Sequence, residues 1–207
     1  MSVASRQPLT RPTSARIAGV DEVGRGPLAG PVVAAAVMLP QEFDLDGVAD
    51  SKTLGLTQRE SAEARIRAEA VWSIAFVDHM EIDRTDILQA TMLAMRQAIQ
   101  GLPIEPSEAA IDGDRVPDGL HCPAQAIVKG DSRHACIAAA SILAKCARDR
   151  FMVQMACRYP VYGFERHMGY ASPEHLAAIA EHGPCEIHRL SFSPFRKEAQ
   201  LCLMLDD

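Results

Sequence analysis

The chain lacks the marks of several protein classes, and each absence narrows what it does. Its six cysteines include no C-x-x-C pair and no regular spacing, which argues against a zinc site and against a disulfide framework. No apolar run approaches the length needed to span a bilayer; the longest, around Pro31 to Leu39, reads as a buried strand. Met1 to Arg16 has no apolar core of a secretory leader, and its Arg, Ser and Thr show no amphipathic period. That stretch is expected to be a disordered lead-in, and a cytoplasmic protein is expected. Positive charge is also scarce: 21 Lys and Arg against 27 Asp and Glu leave a net charge of −6. A domain that neutralises many phosphates is often basic, so any nucleic-acid contact has to come from a local basic surface. There is no Walker A loop, and Gly24 and Gly26 are followed next by Gly30, which is not the dinucleotide spacing.

What is present fits an ordinary folded domain, with 48% hydrophobic and 23% charged residues over 207 positions. The pattern predicts a strand at Ile17 to Val20, a second from Leu28 to Leu39, and a surface helix from Thr57 to Ala70 capped by Thr57. Trp72 to Val77 alternates as a strand. Asp83 or Thr85 is expected to cap a helix that places Leu88, Met92, Met95 and Ile99 on one face and stops at Gly101. Glu108 to Ile111 and Gln125 to Val128 are further strands. A long alanine-rich helix, about Arg133 to Arg158, holds Cys136, Cys146 and Cys157 as small core residues, and a shorter helix runs from Pro173 to Glu181. Strands first, then alternation, then helices argue for an α/β domain over 17–207, with a mixed central sheet and a helical C-terminal lobe from about residue 160.

Three acidic sites follow apolar strands: Asp21-Glu22, Asp112 and Asp131. Strand exits on one edge of an α/β sheet converge, so these acids could meet. Close carboxylates cannot all stay ionised without a counter-charge, and hard cations such as Mg²⁺ or Mn²⁺ supply it. Two such ions suit phosphodiester hydrolysis. Any one of these acids could equally open a solvated turn. Gly24-Arg25-Gly26, beside the acidic pair, could bring backbone N–H groups and a guanidinium to a phosphate, or could simply be a tight turn. Ser132 could cap the long helix, and Ala138 to Ser141 suits tight packing of that helix on the sheet. Tyr162-Gly163-Phe164, His167 and Gly169-Tyr170 form an aromatic and histidine-rich segment, either core or a stacking platform. His188 and Arg189 read as surface residues.

Together these segments resemble the type 2 ribonuclease H family, ribonuclease HII. The match runs in the family's order from Ile17 through Val33, Asp50-Ser51-Lys52, Ile111-Asp112-Gly113 and Lys129 to Ser132. It continues through Ala139 to Lys145, Arg148-Asp149, Tyr162 to Phe164, Gly169-Tyr170, and His188-Arg189 with Ser191-Phe192. The resemblance implies a ribonuclease H-like fold. It implies that Asp21, Glu22, Asp112 and Asp131 are catalytic and hold two ions of Mg²⁺ or Mn²⁺. It further implies that Gly24, Arg25 and Gly26 read the 2′-OH beside the scissile phosphate, that Tyr170 packs on the sugar, and that Lys52 contacts substrate. The implied partners are RNA–DNA hybrids and duplex DNA containing ribonucleotides, cut on the 5′ side of the ribonucleotide by a monomer. The sister type HIII carries an extra N-terminal domain and usually a glutamate as fourth acid; the short leader and Asp131 here point to HII. A DNA nuclease of similar fold would have no 2′-OH to read, and a pure binding module would not need four acids that repel phosphate.

Three positions depart from the family pattern: Met168 replaces a common lysine, Leu190 a frequent arginine, and Asp114 a frequent asparagine. Each makes the surface less positive, which predicts weaker and less salt-dependent binding if these positions touch phosphates. Gln200 to Asp207 ends in two acids where a sliding-clamp peptide needs aromatics, so no such peptide is expected.

Overall fold

Two adjacent strands form the middle of the molecule, β1 (Ile17–Val23) and β2 (Val32–Met38), joined by the glycine-rich loop between them. The computed structural model describes residues 9–48, 51 and 54–195. Every residue of β2 is buried, as expected for an apolar run covered on both faces of a sheet. The pleat sends Val33, Ala35 and Val37 to one core, and Val32, Ala34 and Ala36 to another. The remaining strands are β3 (Val71–Val77), β4 (Glu108–Asp112) and β5 (Ala124–Ile127), and the sheet order is β3-β2-β1-β4-β5. The β1–β2 and β2–β3 pairs are antiparallel, whereas β1–β4 and β4–β5 are parallel. The mixed sheet flanked by helices is the expected α/β architecture.

Helices α1 (Leu56–Glu69), α2 (His79–Arg84) and α3 (Ile87–Gln100) precede β4; α4 (Ala135–Arg158), α5 (Phe164–His167) and α6 (Pro173–His182) follow β5. With α1 outside it, α4 covers one face of the sheet, and α3 covers the other. The alanine-rich start of α4 lets its backbone lie directly on β1. A Cβ added to Gly19 would come within 2.1 Å of the Cys136 carbonyl carbon, so no side chain fits there.

Several local expectations need correction. Gly55, not Thr57, is the N-cap of α1; its N–H donates to the Gln58 side chain at 3.0 Å. The cap of α3 is Asp86, which accepts from the Gln89 N–H at 2.8 Å. Asp83 sits inside α2, a helix too short to show a period in sequence. Cys136 and Cys146 are buried as expected, but Cys157 is exposed. Ser132 does not cap α4, since its hydroxyl donates to the Lys129 carbonyl. The lead-in expected to be disordered is seated on the domain from residue 9 onward: the Thr10 N–H donates to the Arg133 carbonyl at 2.7 Å, and the Thr10 carbonyl accepts from Ala135 at 3.0 Å. Arg11 fastens the same segment to the Gln41 and Phe43 carbonyls.

Beyond α4 a third apolar cluster, including Met152, Tyr162, Phe164 and Ile187, forms the core of the C-terminal lobe. Tyr162 and Phe164 are therefore core residues, with rings stacked 5.3 Å apart. Among the described residues no helix is long and apolar enough to cross a membrane.

Candidate active site

The parallel register pairs Val20 with Ile111, which brings the next residues of each strand, Asp21 and Asp112, to the same end of the sheet. From the end of β5 the chain turns through Lys129, in the left-handed region at φ 56°, into a 3₁₀ turn over Gly130–Ser132 that carries Asp131. Carboxylate oxygens of Asp21, Asp112 and Asp131 come within 4.8 Å of one another. The acids thus converge as strand-exit reasoning expects, with one correction: Asp21 and Glu22 lie within β1, not beyond it.

Alternation along β1 then separates those two neighbours. Asp21 shares its face with Gly19, beneath α4, and hydrogen-bonds the Ser141 hydroxyl. Glu22 points to the α3 side, into a cavity of about 310 Å³ that is also lined by Arg25, Thr91, Met95, Asp112 and Asp114. Leu88 and Met92, expected on the buried face of α3, line that same cavity, while Met95 and Ile99 are buried. One oxygen of Asp112 accepts from the Gly130 N–H at 2.6 Å and the Asp131 N–H at 3.3 Å, which ties β4 to the turn. The Glu22 N–H donates to Asp21 at 2.7 Å.

Burial pushes the Asp21 carboxyl well above its ordinary value, and the charges of Glu22 and Asp112 push it further. Burial also raises Glu22; Arg25, 3.5 Å away, opposes the rise, and Asp112 adds to it. The cluster therefore has an excess of negative charge packed at short range. Close, hard oxygen donors of this kind fit a divalent cation.

Beside the acids, the loop from Gly24 to Pro31 is held from within by two fully buried arginines. Arg189 donates to the carbonyls of Gly24 (2.6 Å), Arg25 (3.0 Å), Pro27 (2.8 Å) and Gly30 (2.8 and 2.9 Å). Arg148 donates to those of Ala29 (3.0 Å), Pro31 (3.0 Å) and Met168 (2.9 Å). Gly24 has φ 94°, and a Cβ there would meet the Arg148 Nε at 2.3 Å, so both turn and packing require glycine. The loop leaves Arg25 half-exposed. At Gly26 an added Cβ would lie 3.6 Å from the Tyr170 ring, and Tyr170 itself is exposed. Gly26 and Tyr170 thus face each other across a narrow gap.

His188 and Arg189, read from sequence as surface residues, are 1% and 0% exposed. The reason is physical: a glycine-rich loop turned inward buries several carbonyls, and a guanidinium offers the donors to satisfy them. His175 is buried as well, its Nε2 3.0 Å from the His188 Nε2. Only its place in a motif could have singled out His188-Arg189; nothing in periodicity marks any of these residues. Of the departures from the family pattern, Asp114 and Leu190 are exposed, whereas Met168 is partly buried against the third core cluster. Asp50 and Lys52 lie outside the described residues, as does Gln200 to Asp207; Ser51 is buried, 2.8 Å from Ser141.

Comparison with known proteins agrees with this geometry. The sequence model described as Ribonuclease HII matches residues 18–194. A ribonuclease HII of Sinorhizobium fredii is 56% identical over 184 residues, 89% of this chain and 79% of that protein. One from Maricaulis maris is 54% identical over 181 residues, 87% of this chain and 83% of that protein. Among solved structures, the ribonuclease H2 of Pyrococcus horikoshii superposes with a TM-score of 0.74 at 27% identity, covering 89% of this chain and 97% of that one. The chain belongs to the ribonuclease HII family and is a metal-dependent endoribonuclease acting on RNA–DNA hybrids.

Proposed function

We propose that this enzyme, besides cutting the RNA strand of hybrids, nicks duplex DNA on the 5′ side of single embedded ribonucleotides, with Asp21, Glu22, Asp112 and Asp131 holding two divalent ions, Mg²⁺ or Mn²⁺. The observation that carries the reading is the adjacency of three clustered carboxylates to a glycine loop that faces an exposed tyrosine. When bound, the ions offset the carboxylate charge and supply Lewis acidity toward the attacking water and the leaving oxygen.

The chain's own residues supply the positioning. Asp112, fixed by two backbone N–H groups, presents its carboxylate beside Asp131 and Asp21. Arg25 is a forked donor for phosphate oxygens next to the acids. A sugar can lie across the exposed Tyr170 ring beside Gly26, with its 2′-OH near the loop backbone, and that hydroxyl is what separates RNA from DNA. Lys52 is assigned to substrate on the family resemblance alone. Water attacks the phosphorus and the bond to the preceding O3′ breaks, leaving a 3′-hydroxyl and a 5′-phosphate. The protein acts as a monomer, a reading that light scattering in solution tests.

The deciding experiment is cleavage of a DNA duplex carrying one ribonucleotide, in Mg²⁺, Mn²⁺ or chelator, beside an all-DNA control. Metal-dependent nicking 5′ to the ribonucleotide, absent from the control, is expected. Cutting of both duplexes would mean that the loop does not read the 2′-OH, and cutting of neither would remove the single-ribonucleotide activity.

A further inference from the structure

Gly26 and Tyr170 come from distant parts of the chain, yet a single short segment binds the loop of one directly and reaches the other through the His175 imidazole. Ile187, His188 and Arg189 lie behind the gap. On the loop side, the Arg189 guanidinium reaches four carbonyls between Gly24 and Gly30, the Arg189 N–H donates to the Leu28 carbonyl at 2.8 Å, and the Ile187 carbonyl accepts from Gly30 at 2.9 Å. On the tyrosine side, the path runs through two imidazoles. His188 Nδ1 lies 2.8 Å from the Cys185 N–H and 3.2 Å from the Cys185 carbonyl; taking the shorter contact as the bond assigns the His188 proton to Nε2. That proton faces His175 Nε2 at 3.0 Å, and His175 Nδ1–H in turn donates to the Tyr170 carbonyl at 2.8 Å. With that assignment both rings are neutral, and the chain of bonds runs from His188 through His175 to the Tyr170 carbonyl. A direct bond from the Leu28 N–H to the Gly169 carbonyl, at 2.8 Å, closes the bracket.

We propose that His188 and Arg189 are positioning residues for ribonucleotide recognition: together they set the distance between the Gly24-Arg25-Gly26 loop and Tyr170, and thereby the enzyme's preference for a 2′-OH. The segment holds no acid of the catalytic cluster, so the role concerns selectivity and not the bond-breaking step. It is fixed from outside by Asp83 of α2, whose carboxylate accepts from the Leu190 N–H (2.8 Å) and the Ser191 N–H (3.0 Å). That external tie matters for testing, because Asp83 is only partly buried and can be changed without opening the core.

The inference rests on the 2′-OH reading proposed above, and the test keeps the two apart. Binding of a duplex with one ribonucleotide and of its all-DNA counterpart is measured by fluorescence anisotropy with Mg²⁺, using Asp112→Asn protein so that neither is cut. Equal affinity of this parent for both duplexes sinks the 2′-OH reading itself. With a preference in the parent, adding Arg189→Lys, which keeps the charge but loses the fork, is expected to cut that preference by ~10-fold, equivalent to about 1.4 kcal/mol. The all-DNA affinity should fall much less, whereas a loss of folded protein would lower both affinities alike. Adding Asp83→Ala instead should lower the preference by ~3-fold with the core intact, and it decides the matter if the arginine variant does not fold. An unchanged preference in the folded variants, with only the melting temperature lowered, overturns the proposal.

Discussion

Two neighbouring regions of this enzyme treat charge in opposite ways. At the ends of β1 and β4 and in the turn after β5, three carboxylates crowd within 4.8 Å, and two charged neighbours drive Asp21 up beyond what burial alone does. On the other side of the glycine loop, Arg148 and Arg189 are fully buried, but their donors meet carbonyls at ordinary distances. Burial pulls them down only to about 10 and about 9, so both stay charged at neutral pH. Among the described residues no buried side-chain nitrogen or oxygen is left without a partner. The donors of the clasp are thus spent on backbone carbonyls, while the acid cluster gathers carboxylate oxygens of the kind that hold a divalent cation. The clasp fixes geometry; the acid cluster binds and reacts.

The contrast predicts that equally small side-chain changes have opposite consequences in the two regions. Asp112→Asn should lower turnover by about 1000-fold, roughly 4 kcal/mol of barrier, while the melting temperature in chelator stays the same or rises because a repelling charge is gone. Steady-state kinetics beside thermal melts checks both halves; full activity would remove Asp112 from the mechanism. Arg148→Met should do the reverse in the fold, leaving the carbonyls of Ala29, Pro31 and Met168 short of donors. The expected cost is about 3 kcal/mol, or a melting temperature lower by about 9 °C. Loss of activity without loss of stability there would mean that the clasp is not the structural half of the pair.

Acid should also attack the clasp before it reaches the sheet. Burial, then the nearby His175, holds His188 down to about 4 against an ordinary 6.5, and His175 is lowered too, chiefly by burial. In the unfolded chain these imidazoles take up protons below about 6.5; in the folded protein they resist. Their contribution is thus fully present above pH 6.5 and is lost as pH falls toward 4, by about 2–3 kcal/mol for His188. Denaturant midpoints between pH 7 and 4 measure this, and His188→Asn should flatten the slope. An equal slope in that variant would assign the acid sensitivity elsewhere.

The same contrast explains what was legible in sequence. The acid cluster could be anticipated because each acid stands near the end of an apolar strand, and β1, β4 and β5 run parallel, which brings those ends together. The short run Glu108 to Asp112 shows this most plainly, since three buried apolar residues deliver the carboxylate to the edge. What the pattern could not show was that Asp21 and Glu22 face opposite sides of the sheet, because strand length decides it and the strand runs two residues past Asp21. The clasp was illegible for a deeper reason. Arg189 and the carbonyls it serves are 159 to 165 residues apart, and a charged residue judged by its own neighbourhood reads as solvated. Only the folded loop creates the need that buries it. Helix α2 escaped notice because six residues carry too little periodicity.

The smallest effect expected lies at the rim of the clasp, where this chain departs from its family. Leu190 is 54% exposed and follows Arg189 directly, so its side chain can change without disturbing the core. If the substrate backbone passes this edge, Leu190→Arg adds one phosphate contact. Affinity for duplex should then rise by roughly 3-fold at low salt, and the slope of log affinity against log salt should steepen by about 0.9. The backbone bond from Leu190 to Asp83 does not involve the side chain, so the melting temperature should not move. A titration across several salt concentrations separates the possibilities. A steeper slope places residue 190 on the phosphate path and accounts for part of what the acidic composition gives up. A tighter but equally salt-dependent complex would instead mean that the new arginine packs on a sugar or base.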